Sequence, residues 1–162
     1  MANPTNNRFP KILVLNKQRR FRILAEPVAS FSAGILQALG RQELLLTVVF
    51  VGVRKMAILN RQFRARNYAT DVLSFHYDED LGDEGRFLGE VVIAPQVACE
   101  QADRWRRPRE RELRTLIVHG ILHLLGHDHE TDKGEMGRLQ KRLVRSSAIR
   151  RIAPIAELGE RT

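Results

Sequence analysis

Wound as a helix, residues 109–125 present aliphatic side chains in nearly every direction, yet the same segment carries His119 and His123 and runs straight into Gly126, His127 and His129. A helix that is apolar all round is a buried helix, so this one belongs at the centre of whatever the chain builds. At 100° per residue, Glu112, Leu116, His119 and His123 share one stripe. The rod therefore has a single polar groove. Four of the five histidines of the chain fall in this short stretch, an arrangement that simple core packing does not favour.

Such a groove is suited to a metal ion. Residues four apart on a helix have Cβ atoms roughly 5–6 Å apart, so His119 and His123 can both turn a ring nitrogen toward one cation. Gly126 can take the left-handed conformation that ends a helix, which swings His129 back as a third ligand. Three protein ligands with a water in the fourth position describe catalytic zinc, whereas structural zinc is closed by four. Zinc is preferred over copper or nickel on ligand type and availability. His127 is more simply a bystander than a fourth ligand, and His76 is expected to face solvent. Asp128 has two possible tasks: accepting a hydrogen bond from a ligand's second ring nitrogen, or capping the following turn.

The chain of 162 residues, 43% hydrophobic, reads as one domain over 1–162, with 1–10 and 152–162 as loosely held tails. Strands are expected at 11–15, 44–53, 70–75 and 87–94, and helices at 26–38, 54–63, 96–105, from 109 to the Gly126 terminator, and at 131–146. The run 44–53 is apolar and β-branched, which suits a strand covered on both faces. The acidic stretch 78–85 is expected to be a solvated loop, since it lacks the downstream glutamate of a calcium loop. Cys99 is expected to pack in a core. As the sole cysteine it cannot form an internal disulfide, which favours a reducing compartment. No apolar run suits a secretory signal or a membrane span, so a soluble cytoplasmic protein without membrane contact is expected. The formal charge of +8 favours polyanionic partners such as nucleic acid. Arg104, Arg106, Arg107 and Arg109 flank Trp105, which is expected to be half-buried.

The histidine segment, with Leu59-Asn-Arg-Gln-Phe-Arg64, Thr70-Asp-Val-Leu-Ser-Phe75 and Leu88-Gly-Glu-Val-Val-Ile93, resembles the YbeY family of metal-dependent endoribonucleases, with the motifs in the family's order. Two positions depart from the family's habit: His76 stands where proline is usual and His127 where tyrosine is common. The resemblance implies an α+β fold, a mixed sheet packed against several helices with the ligand helix central. It also implies that His119, His123 and His129 hold one zinc ion (Zn2+) and that Arg64 is the functional arginine. The implied activity is single-strand-specific cleavage of ribosomal RNA, in 16S rRNA 3′-end maturation and ribosome quality control, with the 30S subunit and possible ribosomal proteins as partners.

An open zinc site lowers the pKa of bound water to about 7, which would generate a hydroxide for attack on a phosphodiester. Arg64's planar fork is suited to clamping the phosphate. Two rival readings stay open at this point. A zinc peptidase also starts from two histidines four apart, but it places a glutamate base directly after the first histidine, and here that residue is Gly120. A ribosome-assembly factor whose zinc merely stiffens the fold needs no catalytic machinery at all.

Overall fold

The computed structural model describes residues 11–146 and 154–158. In chain order its elements begin β1 (Ile12–Asn16), β2 (Arg22–Ile23), α1 (Ala25–Ala38), β3 (Leu44–Phe50), α2 (Val53–Arg64) and β4 (Val72–Asp80). They continue with β5 (Arg86–Ile93), α3 (Pro95–Arg104), α4 (Arg109–Leu124), α5 (Glu135–Arg145) and β6 (Ala156–Glu157). The main sheet has the order β1-β3-β5-β4. Its first three strands are parallel and β4 runs antiparallel to β5. This is the mixed-sheet α+β architecture expected above, and β4 ends the sheet with a partner on one side only.

Every residue of β3 is buried, as the unbroken apolar run requires of a strand covered on both faces. On one face lies the larger core, in which α1 packs over β1 while α4 packs over β4 and β5. The other face carries a smaller cluster of Val49, Met56, Leu73 and Val92, with Leu59 of α2 and Phe75 of β4 packed against it. Because α2 is a single helix, part of this second face stays open.

The ligand helix α4 is central: it touches α1, α3, α5, β4 and β5. Leu113, Ile117, Val118, Ile121 and Leu122 on it are fully buried. Its approach to the sheet is set by Gly120. A Cβ there would stand 2.4 Å from Val91 Cγ1, so only the missing side chain lets the helix lie this close. Ser74 Oγ of β4 donates to the Gly120 carbonyl at 3.1 Å and ties helix to strand.

Three local expectations are corrected. β4 does not stop at Phe75 but resumes after a bulge and continues to Asp80. Pairing with Arg86 and Phe87, and a bidentate ion pair between Asp78 and Arg86, override the polar composition that suggested a loop from 78. The last helix begins at Glu135 rather than 131, because Gly134 is left-handed (φ 84°) and Asp132 caps from outside, accepting from the amides of Gly134 (2.8 Å) and Met136 (2.6 Å). Part of the expected C-terminal tail is packed. Ile155, Ala156 and Leu158 are buried, β6 pairs with the unanticipated β2, and Ile155 N donates to Glu110 Oε1 at 2.8 Å. A two-residue ladder between segments far apart in sequence leaves no periodic trace in either. Of the two expected tails, residues 1–10, 152, 153 and 159–162 lie outside the described residues.

Candidate metal centre

The end of α4 builds the site. Gly126 takes φ 91°, its amide donates to the His123 carbonyl (3.0 Å) and the His127 amide donates to the Leu122 carbonyl (3.0 Å). This paired-bond helix terminus turns the chain back so that His129 faces the helix it has just left. Nitrogens of His119, His123 and His129 all lie within 4.8 Å of one another, and the ring centroids are 4.5, 5.4 and 5.3 Å apart. Among the described residues no other group of three potential ligands forms. His127 is not part of it, and Asp128 serves as a cap, accepting from the Glu130 amide at 3.0 Å.

Gln140 of α5 supplies the tautomer. Its Oε1 lies 2.9 Å from His119 Nδ1, and an amide oxygen only accepts, so Nδ1 carries the proton. Nε2 of His119 is then left with its lone pair, facing His123 Nε2 at 3.0 Å. Two imidazole nitrogens on a tetrahedral zinc at about 2.0–2.1 Å stand about 3.3 Å apart, so the pair is spaced for a shared ion. Burial pushes both rings below the ordinary histidine pKa. The Gln140 bond opposes this at His119, and the neighbouring His119 and His129 reinforce it at His123. The neutral imidazole favoured in this way is the form that binds metal. With His129 completing the set, and the tautomer of His119 locked, the three rings are placed to hold a single metal ion.

The three rings open into a cavity of about 510 Å³ whose wall also includes Arg64, Arg66, Tyr68, Asp71, Ser74 and His76. Arg64 is the last residue of α2, which ends because Ala65 adopts a left-handed conformation (φ 55°). Buried Asn60 holds the next segment, donating from Nδ2 to the Tyr68 carbonyl at 2.8 Å. The Arg64 side chain is solvent-exposed, with no hydrogen-bond or ion-pair partner among the described residues. His76 is exposed as expected, yet it lines the same cavity.

The second arginine cluster stands apart from this cavity. Arg109 makes a bidentate pair with Asp103 (3.0 and 2.6 Å) and donates to the Leu158 carbonyl at 3.0 Å, while Arg107 leans toward Glu112 at 3.8 Å. Trp105 is not half-buried but 66% exposed, since α3 ends one residue before it and the chain turns away. Cys99 is buried, and loss of solvent raises its thiol to about 11, as suits a packing residue. Sequence reasoning missed Gln140 and Ser74. Gln140 had a signal: it lies four residues after Met136 and three before Leu143, on the apolar face of α5, where an amide needs a polar partner. Ser74 had none, because its partner is a backbone carbonyl of another element.

Residues 13–148 match the family model described as Endoribonuclease YbeY. Endoribonuclease YbeY of Thermodesulfovibrio yellowstonii is 36% identical over 142 residues, covering 79% of this chain and 89% of that relative. The protein of the same name from Staphylococcus carnosus is 42% identical over 113 residues, covering 65% of this chain and 74% of that one. A solution structure from Thermotoga maritima superposes with a TM-score of 0.59 at 26% identity, covering 85% of this chain and 88% of that one. The family match takes in all of the four-stranded sheet but Ile12, α2 with Arg64 and the whole histidine segment, and by it the chain belongs to the YbeY family of endoribonucleases, hydrolases that cut RNA.

Proposed function

We propose that the chain is a zinc-dependent endoribonuclease specific for single strands. It acts on ribosomal RNA, in 16S rRNA 3′-end maturation and ribosome quality control, with the 30S subunit and ribosomal proteins as partners in the cytoplasm. The observation that carries the reading is the placement of three converging imidazoles and an unpartnered arginine on the wall of one cavity. His119, His123 and His129 would hold the zinc ion, which would supply Lewis acidity and a water of lowered pKa near 7. The chain's own residues do the rest. Gln140 keeps His119 in the tautomer whose Nε2 points at the site. Arg64, whose five donors are uncommitted, receives the phosphodiester oxygens and offsets the charge that builds on them in the transition state.

The peptidase alternative loses support from packing as well as composition. The position after His119, where a zincin has its glutamate, faces Val91 and Ser74 at contact distance, so no carboxylate fits between helix and sheet. Substituting Arg64→Ala separates catalysis from mere stiffening of an assembly factor. The variant should keep the zinc content and melting temperature of the wild type while losing cleavage of single-stranded RNA, and His123→Ala should lose zinc. Undiminished cleavage by Arg64→Ala would refute the clamp. A chain that binds zinc but cuts no RNA, even with ribosomal subunits present, would favour the assembly factor.

A further inference from the structure

The open part of the second sheet face forms another groove of about 510 Å³. Arg64, Ser74 and His76 line both this groove and the histidine cavity, so the two adjoin along β4, the end strand of the sheet. The aromatic rings of Phe63, Phe75 and Tyr77 line the groove, and Lys17 and Lys55 join Arg64 there against the single carboxylate of Glu90. Phe63 is 60% and Tyr77 56% exposed. Exposed rings gathered on one surface mark a binding site. These rings are also held in place: Phe63 packs edge-on to Phe75 with centroids 5.0 Å apart, and Tyr77 stacks on Phe87 at 5.8 Å.

We propose that this groove is a base-stacking platform for the single-stranded RNA that enters the histidine cavity. The inference rests on the endoribonuclease reading and extends it to where the flanking nucleotides lie. A sheet face bearing aromatics takes unstacked bases flat against its rings, and cations beside it take the phosphates. Two lysines and an arginine against one glutamate favour a polyanion over an acidic protein segment. The partnerless Arg64, at the junction of both cavities, is placed to hold the phosphate between a stacked nucleotide and the one being cut. A duplex cannot use the platform, because its bases face each other. Strand specificity then follows from the groove rather than from the metal site.

The test uses the full chain in chelator, so that a labelled ten-nucleotide RNA strand stays intact while its binding is read by fluorescence anisotropy. Phe63→Ala and Tyr77→Ala should each weaken binding about tenfold, Phe63→Trp should retain it, and Phe63→Leu should weaken it as much as Phe63→Ala although it keeps apolar bulk. A strand of the same length without bases should bind wild type and both alanine variants alike. With metal restored, the KM for a base-bearing substrate should rise in the two alanine variants. Wild-type affinity in both alanine variants would overturn the platform, leaving the endoribonuclease reading intact if the wild type still cuts. A wild type that neither binds nor cuts any RNA would overturn both.

Discussion

Replacing Gly120 by alanine tests how the ligand helix is held against the sheet. In an exposed helix interior the change would gain roughly 1 kcal/mol from propensity alone. Here the new Cβ would stand 2.4 Å from Val91 Cγ1, 3.0 Å from Val91 Cγ2 and 3.2 Å from Ser74 Oγ. Val91 is fully buried on β5, between β3 and β4, and its branched side chain has little freedom to rotate away. The helix itself must back off. Overpacking of this kind costs about 1–3 kcal/mol, and a contact this short with a neighbour this rigid belongs at the upper end. Subtracting the propensity gain leaves a net loss of about 2 kcal/mol, or roughly 4–8 °C in melting temperature for a domain of this size. Thermal unfolding followed by circular dichroism, in chelator so that bound metal adds no stability, measures it. Zinc affinity should fall as well, since His119 moves with the helix relative to Gln140 of α5, which fixes its tautomer. An alanine variant that melts at or above the wild-type temperature would refute the claim that this glycine sets the helix-to-sheet distance.

Gln140→Ala removes the acceptor that holds His119 and should weaken zinc binding by roughly 10–100-fold; competition with a chromogenic chelator reads it, and unchanged affinity would show that the tautomer needs no such support. Ile155→Ala should destabilise the chain by about 2–5 kcal/mol in urea unfolding, because the side chain is fully buried; a loss below about 0.5 kcal/mol would mean that the β2–β6 ladder does not stay docked. Cys99, with its thiol raised to about 11 by burial, should resist alkylation by iodoacetamide at pH 8.5 in the folded protein and react readily in urea. Without metal, the depressed pKa values of His119 and His123 mean that the unfolded chain takes up more protons than the folded one below the ordinary histidine pKa of about 6.5. Stability should therefore decline as pH falls through that value toward the lower folded-state values, and a melting temperature flat from pH 7 to pH 5 would contradict the shift.

The metal centre was the most legible part because its information is local. His119 and His123 are one turn apart, the aliphatics around them require burial, and Gly126 ends the helix; each is a matter of spacing along a single segment, and the structure has all three. Two of the misjudged elements were settled by distant partners, whereas the late start of α5 and the exposure of Trp105 come from local chain turns. β4 runs on to Asp80 because Arg86 and Phe87 pair with it. Ile155 is buried because Glu110 and Leu24 bind its backbone. Trp105 is exposed because α3 stops just short of it.

Composition and period thus determined which helix lies at the centre and which two rings share its face, since helical geometry converts a spacing of four into a common face, and the Gly126 terminator marks where a third ring can turn back to them. Tertiary packing decided what those rings work with: Gln140 behind His119, Arg64 across the cavity, and an aromatic groove over the far side of β4. None of these is near the histidines in sequence, and their placement follows from where the sheet edge and the neighbouring helices come to rest.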